Sequence, residues 1–208
     1  MKARRRKAEA DVPPMAAAQA GPAEDRREHS RILTVYRVAQ LAVDSDSGLC
    51  RVANISDTGM MLVTGLDMAV GDSVMIGLAE KVALPGEVTW VDGARVGIQF
   101  LEKIDAAAML QSIASATPAE QRPFRLQTNT VGVAMTPHGA RAVRILDISQ
   151  HGMKISHEGG FTPGTQIKVS LPTGLERRGI VRWANDEIAG VQLLEPIAFR
   201  ELESARKL

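Results

Sequence analysis

Aromatic residues are scarce: Phe, Trp and Tyr together make 3% of the chain. Platforms that stack single-stranded nucleic acid need several exposed rings, so a binder of that kind is not expected. A flat ligand would sooner lie on arginine guanidinium planes. Cys50 is the single cysteine, which excludes an internal disulfide framework and suits a reducing compartment. No apolar run approaches the ~20 residues that span a bilayer. The formal net charge is only +1, which removes any global pull towards nucleic acid or anionic lipid. The basic start MKARRRKAEA is not followed by the apolar core of a secretory signal, and a cytoplasmic location is expected. His29, His138, His151 and His157 form no HxH or HExxH pair, and there is no P-loop, Rossmann glycine pattern or pair of catalytic carboxylates. Neither a metal site nor an enzyme is expected.

What the chain does contain is a repeat. NISDTG, Asn54 to Gly59, returns 93 residues later as DISQHG, Asp147 to Gly152. At that offset Cys50–Glu102 aligns with Val143–Glu195 without a gap, with fourteen identities in 53 positions. They include Arg51/Arg144, Ile55/Ile148, Ser56/Ser149, Gly59/Gly152, Gly97/Gly190, Gln99/Gln192 and both tryptophans, Trp90/Trp183. The period is too long for a solenoid unit and suits a small domain. The 208 residues, 45% hydrophobic and 24% charged, therefore read as a tandem duplication.

Each copy is a series of short apolar runs cut by Gly, Asp and Pro: CRVANI, GMMLV, DSVMIGL, LPGEVTWV and ARVGIQFL in the first, ARAVRILDI, GMKIS, QIKVSL, RGIVRWA and AGVQLL in the second. Five or six short strands at regular spacing argue for a small antiparallel barrel or sandwich rather than a βαβ sheet. A helical stretch ends each copy, IDAAAMLQSIAS and then PIAFRELESARKL. The fold class expected is all-β with terminal helices. Residues 1–22 read as a disordered basic tail, 23–116 as the first domain, 117–121 as a linker and 122–208 as the second domain.

On a strand, Asn54 and Ser56 face the same side and Ile55 faces the core. Gly59 then serves a turn with positive φ or a close backbone approach. A purely structural role is equally open for such a hexapeptide, because Asx and Ser residues cap turns on their own backbone. The first copy adds DRREHSR before its first strand, with Arg27 and Arg31 four apart and Arg26 beside them. Arginine donates in pairs to phosphate oxygens and to the O6/N7 edge of guanine, and its plane stacks on a base. Paired arginines with an Asn/Ser strand face describe a site for guanine rings joined by phosphates.

This RxxxR, followed by (D/N)xSxxG, resembles the signature of PilZ domains, which bind the bacterial second messenger cyclic di-GMP. The resemblance implies a six-stranded antiparallel barrel with a C-terminal α-helix in each copy. It implies that Arg27 and Arg31 hold guanine edges and phosphates while Asn54 and Ser56 address a base beside Gly59. Arg26 is either a contact to a second, stacked ligand molecule or a solvated neighbour. The protein it implies is a receptor with no cofactor and no catalysis, acting through a protein partner on motility, biofilm or surface behaviour. The alternative is a ligand-independent scaffold that works through protein contacts.

The second copy departs from the pattern. It keeps Asp147, Ser149 and Gly152, but Gln121 stands where Arg27 does when Arg125 is aligned with Arg31. Arg122 is three residues from Arg125, with Pro123 between them, which restricts how the segment bends. Losing one charge-assisted hydrogen bond lowers affinity roughly 10- to 100-fold, so weak or no binding is expected there. Ligand docking of the first copy's like-charged leader onto the Asn54/Ser56 face is the expected signalling step. Cys50 is expected to be a buried small hydrophobe, His29 an exposed bystander, and Trp90 and Trp183 core residues.

Overall fold

The computed structural model describes residues 37–44, 46–79, 82–116 and 123–208. The leader and tail, including Arg26, Arg27, His29 and Arg31, lie outside the described residues, as does Arg122.

The first copy forms β1 (Arg37–Val43), β2 (Asp46–Ile55), β3 (Gly59–Val63), β4 (Ser73–Ala79), β5 (Val82–Asp92) and β6 (Arg95–Phe100). These close into an antiparallel barrel in the order β1-β2-β3-β6-β5-β4. The second copy repeats this with β7 (Leu126–Thr136), β8 (Gly139–Ser149), β9 (Gly152–Ser156), β10 (Gln166–Ser170), β11 (Glu176–Ala184) and β12 (Ile188–Leu193), ordered β10-β11-β12-β9-β8-β7. Closure removes the exposed sheet edge that a short antiparallel sheet would otherwise carry. Alternating strand positions fill each interior: Leu41, Val52, Leu62, Ile76, Val88 and Ile98 in the first barrel, Ile145, Ile155, Ile167, Val169, Val181 and Val191 in the second.

The expected helix after the first barrel is α1 (Ala106–Ser115). Two carboxylates hold its start: Asp105 accepts from Ala108 N–H at 2.8 Å, and Asp57 accepts from Ala106 N–H at 3.2 Å. Ala106 and Ile113 turn into the core. The helix expected after the second barrel is corrected to one short 3-10 helix, Phe199–Leu202. At the 93-residue offset, Gln150 replaces Asp57 and Ala198 replaces Asp105, so both capping carboxylates are missing. Competing tertiary bonds then take the chain: Asp46 of β2 accepts from the Ser204 hydroxyl at 2.6 Å and Arg206 N–H at 3.1 Å, while Ala205 N–H donates to the Ser47 carbonyl at 2.7 Å.

This C-terminal segment thereby ties the second barrel to β2 of the first. Leu49 of β2 joins the second barrel's hydrophobic cluster, and the Arg51 guanidinium lies 4.7 Å from the Phe199 ring centroid. Gly48 allows the approach, since a Cβ there would collide with the Glu203 carbonyl.

Candidate functional site

Cross-strand registers place the hexapeptide residues on one outer face of each barrel. In the first, Asn54 pairs with Met61, Met61 with Gly97, and Gly97 with Trp90, a single row across β2, β3, β6 and β5. The next row holds Gly59 opposite Gln99. Asn54, Ser56, Gly59, Met61, Trp90 and Gln99 line a cavity of about 470 Å³. In the second barrel the first row is Asp147, Lys154, Gly190 and Trp183.

Both rows depend on bulges. The register shifts between Val52 and Asn54 and between Val88 and Trp90, and at the equivalent pairs Ile145/Asp147 and Val181/Trp183. A bulge leaves consecutive residues facing the same side. Trp90 is 41% exposed and Trp183 46%, which corrects the expectation that they are core. Each ring covers the bare backbone of its cross-strand glycine: a Cβ on Gly97 or Gly190 would collide with the indole. The aromatic scarcity of the chain hid one exposed ring on each of these faces.

Ser56 closes the turn, as the structural reading of the hexapeptide requires. Its N–H and hydroxyl both donate to the Gly59 carbonyl, at 2.8 and 3.1 Å. Ser149 repeats the hydroxyl bond to the Gly152 carbonyl at 3.2 Å. The hydroxyl oxygen keeps its acceptor capacity for a ligand. Gly59 is needed for close approach to β6, since a Cβ there would collide with the Ile98 carbonyl. Asn54 is exposed and free to meet a ligand edge.

In the second copy Arg125 Nη1 donates to Asp147 Oδ1 at 2.5 Å, and the carboxylate side chain is only 11% exposed. The guanidinium also covers Gly152, its Nη2 3.9 Å from where a Cβ would stand. Asp147 and Ser149 are therefore buried under Arg125. Cys50 is fully buried as expected, its thiol donating to the Ala39 carbonyl at 3.5 Å, and burial pushes its pKa up to about 12. His157 is buried against Phe161, ring centroids 4.6 Å apart, and accepts from Gly159 N–H through Nδ1. Among the described residues no group of three or more His, Cys, Asp or Glu side chains is placed to hold a metal, and no helix is long and apolar enough to cross a membrane.

Residues 25–115 and 120–206 each match the family model described as PilZ domain. The chain belongs to the PilZ domain family. No curated protein matches it. Among solved structures, the tandem PilZ chain is similar to the PlzA protein of Borreliella burgdorferi in complex with c-di-GMP: 9% identity, 81% of this chain, 88% of that one, TM-score 0.31. It is similar to YcgR from Escherichia coli in complex with c-di-GMP, at 10% identity over 76% of each chain and a TM-score of 0.30. The MrkH–c-di-GMP complex of K. pneumonia gives 10% identity over 78% of this chain and 80% of that one, TM-score 0.30. Family membership rests on the two matched regions and the two closed barrels, not on these overlays.

Proposed function

We propose that the first PilZ domain is a receptor for cyclic di-GMP. The observation that carries this reading is the row Asn54, Met61, Gly97 and Trp90, lying beside Ser56, Gly59 and Gln99 on one cavity-bearing face. Asn54 offers an amide to a guanine edge, and the open face of Trp90 offers a stacking surface. Arg27 and Arg31 of the leader supply the charge that the strand face lacks, binding phosphate and guanine O6/N7. Arg26 is assigned no contact.

Binding is the whole of the activity proposed: the protein is a non-catalytic effector. Ligand draws the leader onto the Asn54/Ser56 face, and a partner protein reads the ordered leader. A ligand-independent contact role is favoured for the outer face of β7, where Val131, Val133 and Met135 are 52%, 44% and 45% exposed.

Isothermal titration of cyclic di-GMP into the wild-type chain and into Arg31→Ala tests the proposal. Micromolar or tighter binding, weakened at least about 10-fold in the variant, is expected. A folded wild-type chain that gives no heat at two temperatures would overturn it.

A further inference from the structure

The two site faces differ in where their positive charge sits. At the 93-residue offset, Met61 and Thr89 of the first face become Lys154 and Arg182 of the second, while Trp, Gly, Gln and Ser stay in place. Lys154 lies in the row between Asp147 and Gly190. Arg182 is the extra residue of the Val181/Trp183 bulge and therefore projects outward beside the indole. These residues and Arg125 line one cavity of about 580 Å³, within the ~300–1,000 Å³ range of small-molecule sites.

Arg182 is held in place, and among the described residues neither it nor Lys154 is neutralised. Arg182 Nε donates to Gln192 Oε1 at 2.6 Å, which fixes the guanidinium while its Nη donors remain available. Lys154 has no ion-pair partner among the described residues. Asp147, the carboxylate lining the cavity, is engaged by Arg125. Lys154 on β9 and Arg182 on β11 flank β12, and uncompensated like charges on either side of one strand repel. An anion between them removes that cost, and the exposed ring of Trp183 forms an apolar wall alongside.

We propose that the second barrel carries its own site for a free nucleoside monophosphate, with the phosphate on Lys154 and Arg182 and the base on Trp183. The site needs no paired-arginine leader, because its cations stand on strands. It stands against the expectation of weak or no binding in the second copy and does not rest on the first-barrel reading.

Trp90→Phe leaves Trp183 as the only tryptophan of the full chain, so its fluorescence reports this face alone. Titration with GMP and AMP is expected to quench it saturably, whereas inorganic phosphate competes without quenching. Lys154→Met with Arg182→Thr, the residues of the first face, is expected to weaken the response at least about 10-fold in a chain whose far-UV spectrum is unchanged. Adding Arg31→Ala is expected to leave the response intact, which separates this site from the first. The proposal is overturned if neither nucleotide quenches at millimolar concentration, if the double variant responds as its parent does, or if Arg31→Ala abolishes the response. It is also overturned if a single-stranded oligonucleotide quenches where both monophosphates fail.

Discussion

Gly48 is the position at which one added carbon should separate the two barrels. Its backbone meets the Glu203 carbonyl so closely that a Cβ would collide with it. Backbone cannot rotate away as a side chain can, so the C-terminal segment must retreat by on the order of 1 Å to restore a normal contact. That movement strains three hydrogen bonds made at 2.6, 2.7 and 3.1 Å: Ser204 to Asp46, Ala205 to Ser47 and Arg206 to Asp46. A neutral bond contributes about 1 kcal/mol and one to a carboxylate about 1.5–3 kcal/mol. Losing all three would remove roughly 4–7 kcal/mol, and relaxation of the segment recovers part of it. We expect Gly48→Ala to destabilise the second barrel by about 2–4 kcal/mol. With a urea slope of about 2 kcal/mol/M, its midpoint should fall by roughly 1–2 M.

Tryptophan fluorescence reads the barrels separately, with Trp183 alone in a Trp90→Phe chain and Trp90 alone in a Trp183→Phe chain. The control is Gly77→Ala, whose Cβ would sit at an ordinary 3.6 Å from Gln40 and Phe124 and should shift stability by no more than about 0.5 kcal/mol. A Gly48→Ala chain that unfolds at the midpoint of the Gly77→Ala chain would refute the docking argument.

Gly97→Ala should lift the Trp90 indole from the strand, red-shifting its emission and raising acrylamide quenching in a Trp183→Phe chain; unchanged emission would mean that the ring does not rest on the glycine. Burial raises the Cys50 pKa from 9.0 to about 12, so the folded chain keeps its thiol proton at pH values where the unfolded chain has lost it. The thiol's contribution is whole below pH 9 and fades as pH rises towards 12, by up to about 1.4 kcal/mol per pH unit. Urea unfolding from pH 8 to 10 should therefore fall more steeply for wild type than for Cys50→Ala, and parallel curves would count against it.

The repeat made the architecture legible, because gapless identities such as Ile55/Ile148 and Gly97/Gly190 leave room for only one strand pattern used twice. The tryptophans escape the alternation pattern for a physical reason. From Val88, strict alternation sends Thr89 out and Trp90 in, but the bulge between Val88 and Trp90 turns both outward. Nothing in GEVTW alone marks that bulge. The glycines at equivalent positions opposite the two rings, Gly97 and Gly190, were the available signal. The missing second helix was readable by a different route: aligned residue by residue, the second copy lacks both carboxylates that hold α1. The apolar spacing of PIAFRELESARKL suggested a helix, but the local preference lost to bonds with Asp46, a partner 158 and 160 residues distant in sequence.

The two faces also place their cations in ways that bear on signalling. A face whose cations stand on strands can fill without moving anything. On the proposed reading the first face borrows its cations from the leader and must bring it in, so there occupancy becomes displacement. Strand β2 offers the alternative route, since it carries Asn54 near one end and the Asp46 dock of the second barrel at the other. It is a poor lever: β2 pairs with β1 and β3 inside a closed barrel, and a packed core resists continuous deformation. Asp46→Ala should therefore loosen the C-terminal segment, seen as faster amide exchange at Ala205, yet change cyclic di-GMP affinity less than about twofold. Coupling is reciprocal, so ligand should equally leave exchange at Ala205 unchanged. A tenfold change in affinity, about 1.4 kcal/mol, would show instead that β2 joins the sites and that the dock, rather than the leader, is the output.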